Sequence, residues 1–332
     1  MDLFELTKAL VNIPSVTGSE SALADFLVTF LRKRGFDVRE QVVERKRRNV
    51  FAAAGAKPGV VLCTHMDTVP GPAVASEDGE YIYGRGSCDA KGIMSAMIVA
   101  ARALLEERIQ SVGLLFVVGE ETDSLGARRA NVMDPGSRFI IVGEPTGNKL
   151  ASGHKGILTI RLTTQGRKAH SAFPHLGESA VTKLLDCLQI VRSLELGEDP
   201  ALGKTLMNIG RIEGGVAPNV IPDAAEAVIS YRTAVAPDQV LGQIVRAVGR
   251  SADLEVITKS DPQILHTVPG FEQAVMPFGS DIPHLKAFGK PLLIGPGSAF
   301  EAHTESEKIG KTSLLEAVDI YKKLVKGLLA EI

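Results

Sequence analysis

Five short segments of the chain carry residue types that can hold a metal ion or move a proton. His65-Met66-Asp67 sets a carboxylate two positions after an imidazole. Two positions apart on an extended segment share a face, so Asp67 could fix the tautomer while the other ring nitrogen of His65 ligates a cation. Gly84-Arg85-Gly86-Ser87-Cys88-Asp89-Ala90-Lys91-Gly92 places Asp89 just ahead of an apolar run. Gly119-Glu120-Glu121-Thr122-Asp123 closes another apolar run with two adjacent acids. Like charges repel and unpaired burial is expensive, so this pair is either solvated or shares a cation. With a cation present, one acid can ligate it and the other can take a proton from the attacking water. Gly143-Glu144-Pro145-Thr146 again ends an apolar run on an acid, and Gly295-Pro296-Gly297 leads to Glu301-Ala302-His303-Thr304, a second imidazole.

Each segment alone has an ordinary explanation: a surface histidine, an acid favoured at a helix N-terminus, a solvated loop. The glycines of Gly84–Gly92 fit neither the dinucleotide-binding nor the P-loop spacing, so an oxidoreductase reading has little to stand on. Together the segments say more. Two histidines and several carboxylates are an N/O donor set suited to zinc, cobalt or manganese. With a bridging carboxylate, such a set holds two ions ~3.5–4 Å apart, as in co-catalytic hydrolases.

The elements that must position these residues can be read from periodicity. Leu23, Phe26, Leu27, Phe30 and Leu31 lie on one helical face of residues 19–34, with Ser19 as the expected N-cap and Gly35 as the stop. Val60–Cys63, Leu114–Val118 and Phe139–Val142 read as buried strands, and Ile93–Leu105 as a buried helix. Alternating strands and helices predict an α/β sheet covered on both faces, and such sheets place ligand sites just past their strand ends. The middle changes style. Ile157–Thr163 alternates apolar and polar, followed by a helix near 178–194, strands near 205–212 and 224–232, and a helix near 236–250. That predicts a smaller α+β unit with an antiparallel sheet. The buried style returns after about residue 268, with a strand at Pro291–Gly295 and a closing helix at 311–330. One domain is therefore expected to be inserted in another.

Composition narrows the classes. The 332 residues carry 37 Lys and Arg against 39 Asp and Glu, giving no broad pull towards nucleic acid or anionic lipid. The basic run Arg45–Arg48 is read as a local solvated edge. No apolar stretch reaches the ~18–20 residues of a membrane span, and the acidic opening shows no signal peptide. Three cysteines cannot all pair within one chain, which points to a reducing, cytoplasmic setting. Cys63 and Cys88 flank candidate ligands and are read as packing residues. His175 is read as a loop residue, and His284 is given no role.

The segments, in this order, resemble the M20 metallopeptidases, the group that contains acetylornithine deacetylase, succinyl-diaminopimelate desuccinylase, aminoacylase and the glutamate carboxypeptidases. The resemblance spans nearly the whole chain. It implies a phosphorylase/hydrolase-like catalytic domain, its mixed, mostly parallel sheet sandwiched by helices, formed by 1–155 and 267–332. A ferredoxin-like lid and dimerisation domain would occupy 156–266. It implies that His65 and Glu144 bind one divalent ion, that Glu121 and His303 bind the other, and that Asp89 bridges both. Zn²⁺ is the expected ion, with Co²⁺ or Mn²⁺ as substitutes. Asp67 would orient His65, and Glu120 would be the general base and then the acid. His170, in Gly166–Ser171, would stabilise the oxyanion; Asn219 would contact substrate; Arg232 would receive a substrate carboxylate; and the chain would form a homodimer through the lid. His154-Lys155-Gly156 resembles the acetylornithine deacetylase branch.

The chain also departs from the family pattern. An acid before the strand arginine is replaced in Ser230-Tyr231-Arg232, and His303-Thr304-Glu305-Ser306 lacks the usual proline and acid. The stretch from Asp67 to Asp89 is short and lacks tryptophan, so substrate identity transfers poorly. The expected activity is removal of an acyl group from an N-acyl amino acid, as in acetylornithine deacetylation. The alternatives are desuccinylation, carrier-linked amino-acid hydrolysis and dipeptidase or carboxypeptidase action. A non-catalytic metal-binding homologue is the alternative from a different class.

Overall fold

The computed structural model describes residues 1–55 and 57–332. The chain divides into two compact units, one formed by Met1–Ser152, Leu265–Ala274 and Ser280–Ile332, the other by Gly153–Ile264 and Val275–Gly279.

The first unit is built on a six-stranded sheet in the order Asp37–Glu44, Arg47–Ala53, Val112–Val117, Val60–His65, Phe139–Val142, Lys290–Leu293. The last four strands run parallel, while Arg47–Ala53 pairs antiparallel with both its neighbours. Every residue of Val60–His65 and of Val112–Val117 is buried, as strands covered on both faces require. The helix Lys91–Glu106 packs on these two strands and on the closing helix Lys311–Leu329. Its Ile93, Met94, Met97, Ile98, Ala101 and Leu104 are fully buried. Leu314, Ala317, Tyr321, Leu324 and Leu328 of the closing helix bury one stripe at helical spacing. The mixed, mostly parallel sheet between helices is the fold the sequence predicts.

Two details differ. The first large helix runs over Ser21–Arg32, and Ser19 does not cap it. Glu20 is the N-cap instead, its carboxylate making no capping bond and lying fully buried against Arg47 Nη2 at 2.7 Å. Gly35 does end it, in the left-handed region at φ +84°, with the Phe36 N–H returning to the Leu31 carbonyl. The basic run does more than form a solvated edge: Arg45 and Lys46 are exposed, while Arg47 and Arg48 are half-buried in ion pairs. Arg45 turns a hairpin between Asp37–Glu44 and Arg47–Ala53, Arg47 serves Glu20, and Arg48 pairs with Asp25. That hairpin is what makes the sheet mixed.

The second unit orders its strands as Leu206–Gly214, Ala224–Thr233, Gly156–Gln165, Asp253–Ser260, all antiparallel. With helices Ala180–Arg192 and Pro237–Val248 it is a β-α-β-β-α-β unit of ferredoxin-like type. Leu158, Ile160 and Leu162 alternate inward and meet Leu184, Leu188, Val240 and Ile244 of the helices. Ser179 caps the first helix by accepting from the Thr182 N–H. Among the described residues no helix is long and apolar enough to cross a membrane.

Candidate metal centre

Four parallel strands place their C-terminal ends along one edge of the first unit's sheet, where open α/β sheets bind ligands. His65 is the last residue of its strand; Glu120 and Glu121 follow the strand ending at Val117; Glu144 follows the strand ending at Val142. Gly143 lets this segment lie against the buried helix, since a Cβ there would sit 2.5 Å from the Met97 methyl. Thr146 ties it to the next strand end, its hydroxyl oxygen accepting from the Gly295 N–H at 3.0 Å.

The donor atoms converge. His65 Nε2 lies 2.9 Å from Asp89 Oδ1, and His303 Nε2 lies 3.3 Å from Asp89 Oδ2 and 2.9 Å from Glu121 Oε1. Donor atoms of His65, Asp89 and Glu121 fall within 4.8 Å of one another, as do those of His65, Glu120 and Glu144. Two ligands each ~2.0–2.1 Å from one tetrahedral ion lie about 3.3 Å apart, so these spacings suit shared cations. His303 is held in the left-handed region at φ +64°, uncommon for a residue with a Cβ.

Asp67 requires a correction. The group that fixes His65 is the Asp67 backbone carbonyl, 2.9 Å from Nδ1; the carboxylate lies 3.7 Å away. That carboxylate accepts instead from the N–H groups of Gly119, Glu120 and Glu121 at 2.9, 3.1 and 3.2 Å, and from the Thr17 hydroxyl at 2.8 Å. Asp67 thus holds the loop that carries the two adjacent acids. Sequence reasoning also missed Asp281, which is buried near the centre with Oδ1 lacking a hydrogen bond among the described residues. Glu307, four residues after His303, was missed too. Its only signal was an acid at helical spacing from a candidate ligand.

Burial and charge set the electrostatics. Burial pushes Glu120 and Glu144 well above the ordinary carboxyl range, and the neighbouring acids add to it. Burial alone would lower His65, but its bond to Asp89 and the charges of Asp89, Glu144 and Glu120 win and hold its pKa high. His303 rises to about 10 through its bonds to Asp89 and Glu121. Burial opposes ionisation of Asp89, yet its bonds to His303 and His65 outweigh that and keep it below the ordinary value. Burial lifts Asp281 to about 6.

These shifts give the metal-free chain a pH signature. Glu120, Glu144, His65 and His303 all bind protons more tightly folded than unfolded, so stability falls as pH rises. The contribution is complete below the ordinary values of 4.5 for the carboxyls and 6.5 for the imidazoles, and is lost through the raised ones, that of His303 at about 10. Asp89 acts in the opposite sense, but only below 3.8. Chelator-treated protein should therefore melt at lower temperature at about pH 9 than at about pH 5, and added Zn²⁺ should flatten that slope. A melting temperature that climbs over this range in the stripped protein would contradict the assignment.

The remaining predicted residues lie in the second unit. His170 sits on a short strand opposite Val220, and the Ser171 N–H donates to the Asn219 carbonyl, so His170 and Asn219 are neighbours. The Ala172 N–H donates to His170 Nδ1 at 3.1 Å, which leaves the proton on Nε2, on an exposed ring. Arg232 lies on the strand Ala224–Thr233 between Leu206 and Ile157, and burial lowers its pKa. His175 stacks edge-on with Phe173, and His284 ends a single 3₁₀ turn. Cys63, Cys88 and Cys187 are free and buried, with thiols pushed up by burial, so none is poised as a thiolate ligand.

Comparison with known proteins agrees with this arrangement. The profile of peptidase family M20/M25/M40 matches residues 61–327. A probable carboxypeptidase of Emericella nidulans is 40% identical over 380 residues, covering 98% of this chain and 89% of the relative. An M20 family metallo-carboxypeptidase from Sulfolobus solfataricus superimposes with a TM-score of 0.81 at 16% identity, over 98% of this chain and 99% of that one. A Bacillus subtilis protein described as a dinuclear metal-binding peptidase of the M20 family gives a TM-score of 0.71 at 16% identity, over 99% and 98% of the two chains. Fold, donor set and similarity coincide: the chain is a metallohydrolase of amide bonds and belongs to peptidase family M20/M25/M40.

Proposed function

We propose that this enzyme hydrolyses the amide of an N-acylated amino acid whose α-carboxylate is free. Carboxypeptidase action is the case in which the acyl group is itself a peptide. The observation that carries this reading is the convergence of His65, Asp89, Glu121 and His303 beside the half-buried carboxyl of Glu120, which makes no side-chain hydrogen bond among the described residues. His65 and Glu144 would hold one divalent cation, Glu121 and His303 the other, with Asp89 between them. Zn²⁺ suits the set best, and Co²⁺ or Mn²⁺ would also fit. When bound, the cations polarise the scissile carbonyl and acidify water.

The chain's own residues do the rest. Glu120 removes the proton from the attacking water and passes it to the leaving amine. The backbone amides locked on Asp67 keep Glu120 and Glu121 in register, so the base and a ligand move as one piece. His170 carries its proton on Nε2 and can donate it to the carbonyl oxygen as charge builds there. Asn219 would contact substrate beside it. Arg232 offers a planar fork to the α-carboxylate and has no ion-pair partner among the described residues. The Gly153–Ile264 unit would act as lid and dimerisation domain of a cytoplasmic homodimer.

The name of the Emericella nidulans relative favours a peptidyl acyl group. Acetylornithine deacetylation is the second reading, suggested by His154-Lys155-Gly156. In that segment His154 Nδ1 bonds the Lys155 carbonyl and Lys155 Nζ bonds the Lys204 carbonyl. A panel of dipeptides, acetylornithine, acetyl-lysine and succinyl-diaminopimelate, each with a carboxamide analogue, tests the proposal. Dipeptides should turn over fastest, and masking the carboxylate should cost on the order of 10-fold or more in kcat/KM, as losing a charge-assisted hydrogen bond does. No turnover of any member by metal-loaded protein would sink it.

A further inference from the structure

Glu307 is nearly fully buried, and all its bonds serve one loop. Its Oε1 accepts the N–H groups of Gly86, Cys88 and Asp89 at 2.9, 3.0 and 3.0 Å, and its Oε2 accepts from Arg85 Nη1 at 2.5 Å. The Glu307 backbone carbonyl takes the Gly84 N–H at 2.9 Å. Gly86, at φ +86°, turns the chain so that these amides point inward at one anion, a concavity of the kind backbone N–H groups make around phosphates. Here the anion is supplied by the protein itself.

The residues at each end of this contact matter. Asp89, whose own amide is one of the three donors, faces both imidazoles of the centre. Glu307 lies four residues beyond His303, in a segment of turns where the Glu301 carbonyl accepts the Thr304 hydroxyl. One carboxylate therefore joins the segment that supplies His303 to the loop that supplies Asp89, across more than two hundred residues of sequence. Glu307 is not itself poised as a ligand, because both its oxygens are committed to protein donors.

We propose that Glu307, with Arg85, is a positioning residue that assembles Asp89 and His303 before any metal arrives, and so sets the affinity of the centre for its cations. A loop ordered in advance does not lose conformational freedom on binding, which is how preorganisation raises affinity. The inference rests on reading Asp89 and His303 as ligands.

The test uses metal-stripped full-length parent, Glu307→Ala and Glu307→Gln. Thermal unfolding reports global folding, amide hydrogen exchange reports the 86–89 loop, and chelator competition reports Zn²⁺ affinity. Glu307→Ala should speed exchange at Gly86, Cys88 and Asp89 and weaken Zn²⁺ binding by roughly 10- to 100-fold, the usual cost of losing an outer-shell partner. Glu307→Gln keeps one acceptor oxygen but turns an amide towards Arg85, so it should fall between; it carries the test if the alanine variant does not fold. The Co²⁺ absorption of the loaded variants should shift with the weakened geometry. Zn²⁺ affinity within twofold of the parent, in a variant whose loop exchanges faster, would overturn the proposal. If the parent itself binds no Zn²⁺, the ligand reading falls with it, an outcome distinct from tight binding by parent and variant alike.

Discussion

Glu120→Gln should lower kcat by about 10³-fold, within the range that a positioned general base supplies, while leaving the metal content of the protein unchanged. The expectation comes from the different surroundings of the two adjacent acids. Glu121 reaches His303 Nε2 at 2.9 Å and is committed to the donor cluster. Glu120 makes no side-chain hydrogen bond among the described residues, and burial raises its pKa above the ordinary carboxyl value; a positioned carboxyl free of other bonds can take and return a proton. Glutamine keeps the shape and the backbone bond to Asp67 but cannot accept the proton. Metal quantification beside steady-state kinetics separates this from a loss of ligand. Undiminished turnover would show that another group is the base. The same variant addresses the non-catalytic alternative, since a protein that only bound metal would need the ligands and no free acid among them.

Asp89→Ala should do the opposite to metal content. Its two carboxylate oxygens face different imidazoles, Oδ1 towards His65 and Oδ2 towards His303. Removing it takes a donor from both halves of the centre at once, and leaves two histidines of raised pKa without the anion that holds them. The expected result is loss of at least one of the two metal equivalents and activity below detection. Glu121→Ala removes the hydrogen bond to His303 alone and should retain more metal than Asp89→Ala. Equal metal content in Asp89→Ala and parent would remove Asp89 from its bridging place. Both variants should be compared at one pH, because the stripped centre is itself pH-dependent.

Much of this molecule is legible before any coordinates. The apolar runs Val60–Cys63, Leu114–Val118 and Phe139–Val142 announce the strands Val60–His65, Val112–Val117 and Phe139–Val142, and the all-round apolarity of Ile93–Leu105 announces the helix Lys91–Glu106. Parallel strands end along one edge, so the acids and imidazoles that follow them are bound to lie near one another. The inserted unit shows itself at Gly156–Gln165, where burial alternates residue by residue. The edge hairpin Asp37–Ala53 was less visible. Its first strand is mostly exposed and its turn falls in a basic run, so neither periodicity nor apolar content marked it.

Sequence by itself determined the kinds of donor atom and which strand ends they follow, because residue type and burial period are local properties of the chain. Tertiary structure alone decided what the outer carboxylates do. Asp67 stands two residues from His65, yet its side chain is spent on amides more than fifty residues away. Glu20, rather than Ser19, stands at the start of a helix, and its carboxylate is buried because Arg47, twenty-seven residues on, comes to meet it. Glu307 carries no mark of burial in the sequence and is buried against the amides of the Asp89 loop. A buried carboxylate is stable wherever enough N–H donors converge on it, and which donors converge depends on how distant segments pack.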